Sequence, residues 1–126
     1  MGVLFCFAGE QNIVSENTKD NLVATDYSSA VFDFAYLRKP VIYVQFDQED
    51  FFSGEHAYLK GYFDYERDGF GEVEHDLDAT VDRIIEYMKN GCELKDKYRR
   101  RIDGFYAFND KNNCERVYQK IMELNQ

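Results

Sequence analysis

Proline is almost missing from this sequence: Pro40 is the only one in 126 residues. That excludes collagen-like and Pro-rich architectures. Tryptophan is absent, and histidine occurs only at His56 and His75. The three cysteines, Cys6, Cys92 and Cys114, are odd in number and far apart, with no CxxC pair. A disulfide framework or a zinc site is therefore not expected, and a reduced cytoplasmic setting fits. Positive charge is also short: 15 Lys and Arg stand against 24 Asp and Glu, a net charge of −9. Sequence-independent DNA or RNA binding needs a broad basic surface, so nucleic acid is not an expected partner. An anionic small ligand is still allowed, because backbone N–H groups can hold a phosphate. No apolar run approaches the length of a membrane span. "VLFCFA", residues 3 to 8, lacks a basic flank and reads as a buried strand rather than a signal peptide.

What is there suits one globular domain over residues 1–126. Apolar residues make up 44% and charged residues 31%, enough of each for a core and a solvated surface. A domain of this length buries about two-thirds of its unfolded surface. Aromatic residues reach 17%, all Phe and Tyr, so rings must carry much of the packing.

"LVAT", residues 22–25, is a short apolar run ending in polar residues, as in a parallel-sheet strand. Ser28 can cap a following helix, in which Val31, Phe34 and Ala35 share a face with Phe32 and Tyr36 beside them. Covering on more than one side is expected. Arg38 and Lys39 suit the end of that helix, and Pro40 blocks its continuation. "VIYVQF", from Val41, is β-branched and aromatic, hence a second strand. Strand, helix and strand in so short a span predict a right-handed βαβ unit.

Residues 47 to 75 carry little periodicity and many glycines and aromatics. Such a stretch in a compact domain is functional or hides short elements. "GEVEH" is a candidate last strand. The clearest helix covers 78–90, where Val81, Ile84, Ile85 and Met88 follow helical spacing, with Asp78 as N-cap and Gly91 beyond the C-cap. A second runs over about 93–103 on Leu94, Tyr98 and Ile102. A last one follows "NDKNN", with Cys114, Val117, Tyr118 and Ile121 on one face. Two or three strands are few for a doubly wound domain. The chain reads as the C-terminal portion of a larger protein.

The turn "TDYSS" stands where a strand hands over to a helix. In an open α/β sheet, ligands bind beyond the carboxyl ends of the strands. Free N–H groups and the hydroxyls of Ser28 and Ser29 suit a phosphate there. The competing account is a helix cap, worth roughly 1 kcal/mol. The residues alone leave both open.

"ATDYSSAVFDFAYLRKPVIYVQFD", followed by "GYFDYERDGFGEV", resembles the C-terminal part of the CDP-glycerol:poly(glycerophosphate) glycerophosphotransferases of teichoic acid and capsule synthesis. The similarity runs from about residue 22 to the end. It implies a GT-B architecture, of which this chain would be a partial Rossmann-like α/β fragment. A short parallel sheet with flanking helices and a helical C-terminal segment is expected. It also implies CDP-glycerol as donor, with Asp26, Ser28 and Ser29 as donor-site residues. The implied partners are an N-terminal acceptor domain of the parent protein and a lipid-linked acceptor polymer. The full-length protein would work in the cytoplasm, peripherally at the inner face of the cell membrane. No cofactor is implied.

Two departures stand out. The family's His-Pro motif should lie upstream of "DYSS", but Lys39 precedes the only proline, so no catalytic residue is assigned. Many relatives carry Arg-Gly-Phe where this chain has Lys60, Gly61 and Tyr62. Lys60 and Arg67 are candidates to balance diphosphate charge, and Tyr62 or Tyr65 to line the nucleotide pocket, against packing of an ordered aromatic loop. Asp47, Glu49 and Asp50 form an acidic cluster that reads first as a solvated loop and second as a metal or acid–base site. His56 is not in the place of the family histidine. "KDKYRRR", residues 95–101, reads as a solvated face, with anionic lipid as the alternative. Other readings are a non-catalytic nucleotide- or partner-binding module, and a transferase for another donor such as CDP-ribitol.

Overall fold

The computed structural model describes residues 3–6 as backbone, then residues 21–47, 49 and 61–125. Among the described residues, four strands form one parallel sheet in the order β1-β2-β3-β4. They are β1 (Val3–Cys6), β2 (Leu22–Thr25), β3 (Val41–Val44) and β4 (Gly71–Glu74). Helix α1 (Ala30–Tyr36) joins β2 to β3, and the single turn α2 (Tyr65–Asp68) precedes β4. Helices α3 (Leu77–Lys89), α4 (Asp96–Phe105) and α5 (Asn113–Leu124) follow. The expected βαβ unit is present and parallel, with Ala24 beside Ile42 and Thr25 beside Tyr43. "VLFCFA" and "GEVEH" both contribute a strand, so the sheet has four strands where two or three were expected.

Every residue of β2 and β3 is buried. Alternate side chains serve opposite faces, as strand geometry requires. Val23, Val41 and Tyr43 pack with Ala30, Val31 and Phe34 on the α1 side. Leu22, Ala24, Ile42 and Val44 pack with Tyr87 of α3 and Cys92 on the other. A third cluster joins Ala35 to Phe70, Leu94, Tyr98 and Ile102. Helix α1 is thus covered on more than one side. Tyr98 and Ile102 are buried as their spacing predicts for the second helix, but that helix starts at Asp96 rather than near residue 93, so Leu94 is buried in the segment before it.

Gly71 sets the β3–β4 pairing. A Cβ there would lie 1.6 Å from the carbonyl oxygen of Val41. Only glycine allows this approach. At the outer edge, Glu72 accepts bonds from the Tyr87 hydroxyl at 2.8 Å and the Lys95 ammonium at 2.6 Å. Glu74 accepts one from Arg83 at 2.8 Å. The carboxylates of the edge strand are thereby tied to the helices beside it.

Both α1 and α3 end in the same hydrogen-bonded C-cap. Lys39 N–H reaches the Phe34 carbonyl and Arg38 N–H the Ala35 carbonyl, both at 2.9 Å. Cys92 N–H reaches Tyr87 at 2.7 Å and Gly91 N–H reaches Met88 at 3.3 Å. Each needs a left-handed residue after the C-cap, supplied by Arg38 (φ 57°) and Gly91 (φ 70°). Pro40 then starts the approach to β3, as expected.

Two details of α3 correct the sequence reading. The N-cap is Asp76, not Asp78: Asp76 Oδ1 accepts the Ala79 N–H at 2.8 Å, while Asp78 lies inside the first turn. The row facing the sheet is Thr80, Ile84 and Tyr87, with Thr80 and Tyr87 buried. Val81, Ile85 and Met88 are 42 to 44% exposed. The Tyr87–Glu72 bond and the Arg83–Glu74 ion pair turn the helix so that its apolar stripe is only partly used. Helix α5 buries no residue, and its face with Val117, Tyr118 and Ile121 is open.

Candidate functional site

The register places the ends of β2, β3 and β4 along one edge of the sheet, since Thr25 pairs with Tyr43 and Val44 with Glu74. The turns that follow those strands therefore meet there. They supply Asp26–Ser29 after β2, Gln45–Asp47 after β3, and His75 and Asp76 after β4. This is the edge at which open α/β sheets take ligands.

Ser28 is half-buried, and its Oγ accepts the Ala30 N–H at 3.2 Å. Ser29 occupies the N-cap position but makes no side-chain cap bond, and it is exposed. Asp26 lies close enough to raise the phenols of both Tyr27 and Tyr65, although burial is the larger cause for each. The Tyr27 hydroxyl donates to Asp47 Oδ1 at 3.4 Å, and burial followed by Asp47 pushes this phenol above its ordinary range. Edge-to-face contacts continue from Tyr27 to Tyr65 at 5.8 Å and from Tyr65 to Tyr43 at 5.1 Å. The turn is thus braced by a file of aromatic rings running into the core.

Across the same edge, His75 Nδ1 lies 3.1 Å from the Gln45 carbonyl oxygen. A carbonyl only accepts, so Nδ1 carries the proton of that bond. Nε2 then faces Glu66 Oε1 at 3.7 Å. The residues singled out in the sequence omit this pair. Its signal was the position of His75, directly after the last strand.

Arg67 lies in a cleft between α2 and α4 lined by Tyr62, Phe63, Arg67, Asp68, Arg101, Gly104 and Phe105. Its Nε and Nη2 donate to the two oxygens of Asp68 at 2.9 and 2.5 Å, and Nη2 also reaches the Tyr62 carbonyl at 2.8 Å. That guanidinium, together with the Asp64 N–H, holds the Asp68 carboxyl down to about 2. Tyr65, not Tyr62, touches the β2 turn; Tyr62 is 87% exposed on the rim of the cleft. The structure therefore brings Asp26, Ser28 and Ser29 together and puts Arg67 beside Arg101. Lys60, Asp50 and His56 lie outside the described residues. Asp47 and Glu49 are exposed. Among the described residues, no cluster of His, Cys, Asp and Glu is arranged to hold a metal ion.

A family model described as CDP-Glycerol:Poly(glycerophosphate) glycerophosphotransferase matches residues 10–123. The chain belongs to the glycerophosphotransferase family. Among relatives, it is 46% identical over 104 residues to the minor teichoic acid biosynthesis protein GgaB of Bacillus subtilis (strain 168). That match spans 82% of this chain and 11% of GgaB. Against the teichoic acid poly(ribitol-phosphate) polymerase of Bacillus spizizenii it is 32% identical, over 81% of this chain and 15% of that protein. The fold matches the wall teichoic acid polymerase TagF with a TM-score of 0.61 at 22% identity, over 92% of this chain and 28% of that one. The glycerophosphotransferase chain described here thus spans a small part of the relatives it matches. Its fold is the expected partial Rossmann-like α/β portion of a GT-B domain. Among the described residues, no helix is long and apolar enough to cross a membrane.

Proposed function

We propose that this chain is the donor-binding part of a transferase that moves glycerol phosphate from CDP-glycerol to a teichoic-acid-like or capsular acceptor. The acceptor hydroxyl oxygen attacks the phosphorus next to glycerol. The bond from that phosphorus to the CMP oxygen breaks, and CMP leaves. The hydroxyl proton goes to a base outside this chain. What remains for the chain is positioning and charge stabilisation at the diphosphate.

The observation that carries this reading is the "DYSS" turn of a family member standing at the carboxyl edge of its parallel sheet. In this reading Ser28 and Ser29 offer hydroxyls to phosphate oxygens, and Asp26 accepts backbone N–H bonds that shape the turn rather than meeting the anion. Lys60 and Arg67 balance diphosphate charge. The parent protein supplies the facing acceptor domain, and its lipid-linked acceptor brings it to the inner face of the cell membrane. CDP-ribitol is the second donor to consider, favoured by the likeness to the poly(ribitol-phosphate) polymerase.

Amide NMR of the chain tests the assignment. Millimolar CDP-glycerol should move signals of residues 26 to 30, with CDP-ribitol as the competitor. A stronger response to CDP-ribitol would reassign the polyol. No movement from either would return the serines to helix capping.

A further inference from the structure

The cleft between α2 and α4 has a volume of about 330 Å³. It presents two guanidinium groups in a chain of net charge −9. Its one carboxylate, Asp68, is already held by Arg67 and by the Asp64 N–H at 2.9 Å. Arg101 comes from α4, 32 residues from the Gly69 carbonyl that its Nη1 binds at 2.7 Å. Its guanidinium also lies 5.5 Å from the Tyr98 ring centre. Both arginines are thus oriented by fixed partners. Among the described residues, Nη1 of Arg67 and the Nε and Nη2 groups of Arg101 have no hydrogen-bond acceptor. Two oriented guanidiniums with donors to spare are a natural match for phosphate oxygens.

The remaining walls narrow the ligand. Tyr62 and Phe105 are 87% and 43% exposed and offer ring surface to carbon atoms. Gly104 opens one side, for nothing lies within 4 Å of where its Cβ would be. The volume is at the small end for ligand pockets, which suits a phosphate with a short carbon chain better than a whole nucleotide. The larger hollow beside α1, about 520 Å³, offers Asp33 and no cation, so it does not compete for an anion.

We infer that this cleft is a polyol-phosphate site, with Arg101 joining Arg67 as an anion-binding residue and Tyr62 and Phe105 flanking the polyol. The inference rests on the transferase reading, because two sources could present that chemistry there. One is the glycerol phosphate end of the nucleotide donor. The other is a phosphodiester of the polymer acceptor.

The test follows arginine side-chain and backbone NMR signals of this chain with three probes: glycerol 3-phosphate, glycerophosphoglycerol and CDP-glycerol. Signals of Arg67, Arg101 and Gly104 should move at millimolar probe, and the response should weaken with added salt. Arg101→Ala should weaken binding about tenfold, as expected for one charge-assisted bond in an open site. Gly104→Leu should fill the cleft and abolish the shifts while circular dichroism stays unchanged. Movement with CDP-glycerol at both the arginines and residues 26 to 30 assigns the cleft to the donor. Movement with glycerophosphoglycerol at the arginines alone assigns it to the polymer. A silent 26 to 30 turn would count against the donor reading while leaving the cleft standing. Unmoved arginine signals with all three probes, or shifts that survive Gly104→Leu, would overturn the inference.

Discussion

Helices α1 and α3 both leave the carboxyl edge of the sheet, and they begin in opposite ways. Helix α3 closes its own start: Asp76 accepts the Ala79 N–H at 2.8 Å, and the Thr80 hydroxyl bonds back to the Asp76 carbonyl at 2.8 Å. The short turn α2 does the same with Asp64, which accepts from Glu66 and Arg67 at 3.1 and 2.9 Å. Helix α1 has no carboxylate in that role. Ser28 makes one long bond to Ala30, and Ser29 makes no cap bond. A negative charge stabilises a helix start. At α2 and α3 the protein supplies that charge itself. At α1 the N-cap position holds a neutral hydroxyl that makes no cap bond, and the charge of the first turn comes from Asp33; in the proposed reading the anion at this start comes from outside.

The comparison can be broken by stability measurements. Asp76→Ala or Asp64→Ala should lower the unfolding free energy by roughly 1 kcal/mol, the usual cost of a lost N-cap. The midpoint of urea denaturation would report it. If either change proves neutral, those carboxylates are not closing their helices and the contrast with α1 fails.

Acid sharpens the comparison. The Asp68 carboxyl, held by Arg67 and the Asp64 N–H, titrates at about 2, below the ordinary carboxylate value near 3.9. A depressed folded pKa gives stability that is present above the unfolded value and is lost as pH falls through the folded one. Stability should therefore decline between about pH 4 and 2, and Asp68→Asn should flatten that part of the profile. Thermal melts across this range would show it. An unchanged profile in Asp68→Asn would remove Asp68 from the account.

The smallest stability effect should come from Ser29→Ala. An exposed N-cap residue that makes no cap bond has little to lose, so the change should stay within about 0.5 kcal/mol. A loss as large as that for Asp76→Ala would mean that Ser29 caps after all.

How far the sequence anticipated these features depends on how local each one is. The βαβ unit was legible because β-branched runs, helical spacing and Pro40 all act within a few residues. Tyr98 and Ile102 were legible as core for the same reason, whereas Leu94 is buried ahead of the helix that its spacing suggested. The choice of Asp76 over Asp78 was not: "HDLDAT" offers two aspartates, and the contact of α3 with β4 decides which begins the helix. The exposed row of Val81, Ile85 and Met88 was hidden too, because polar pairs of Tyr87 and Arg83 with β4 set the rotation. Arg101 was out of reach for a stronger reason. Its partner carbonyl, Gly69, lies 32 residues away, and only the packing of α4 beside α2 brings them together. The serines of the turn were found through a motif, whereas His75 needed the sheet edge to be drawn.

The most direct test of the open α1 start is CDP-glycerol binding to the chain with Ser28→Ala and Ser29→Ala combined, followed by amide NMR. The unaltered chain should show millimolar binding centred on residues 26 to 30. The double variant should keep its fold and lose those shifts, because its turn no longer offers hydroxyls to the diphosphate. Equal binding by both forms would contradict the account and leave the two serines as ordinary helix-start residues.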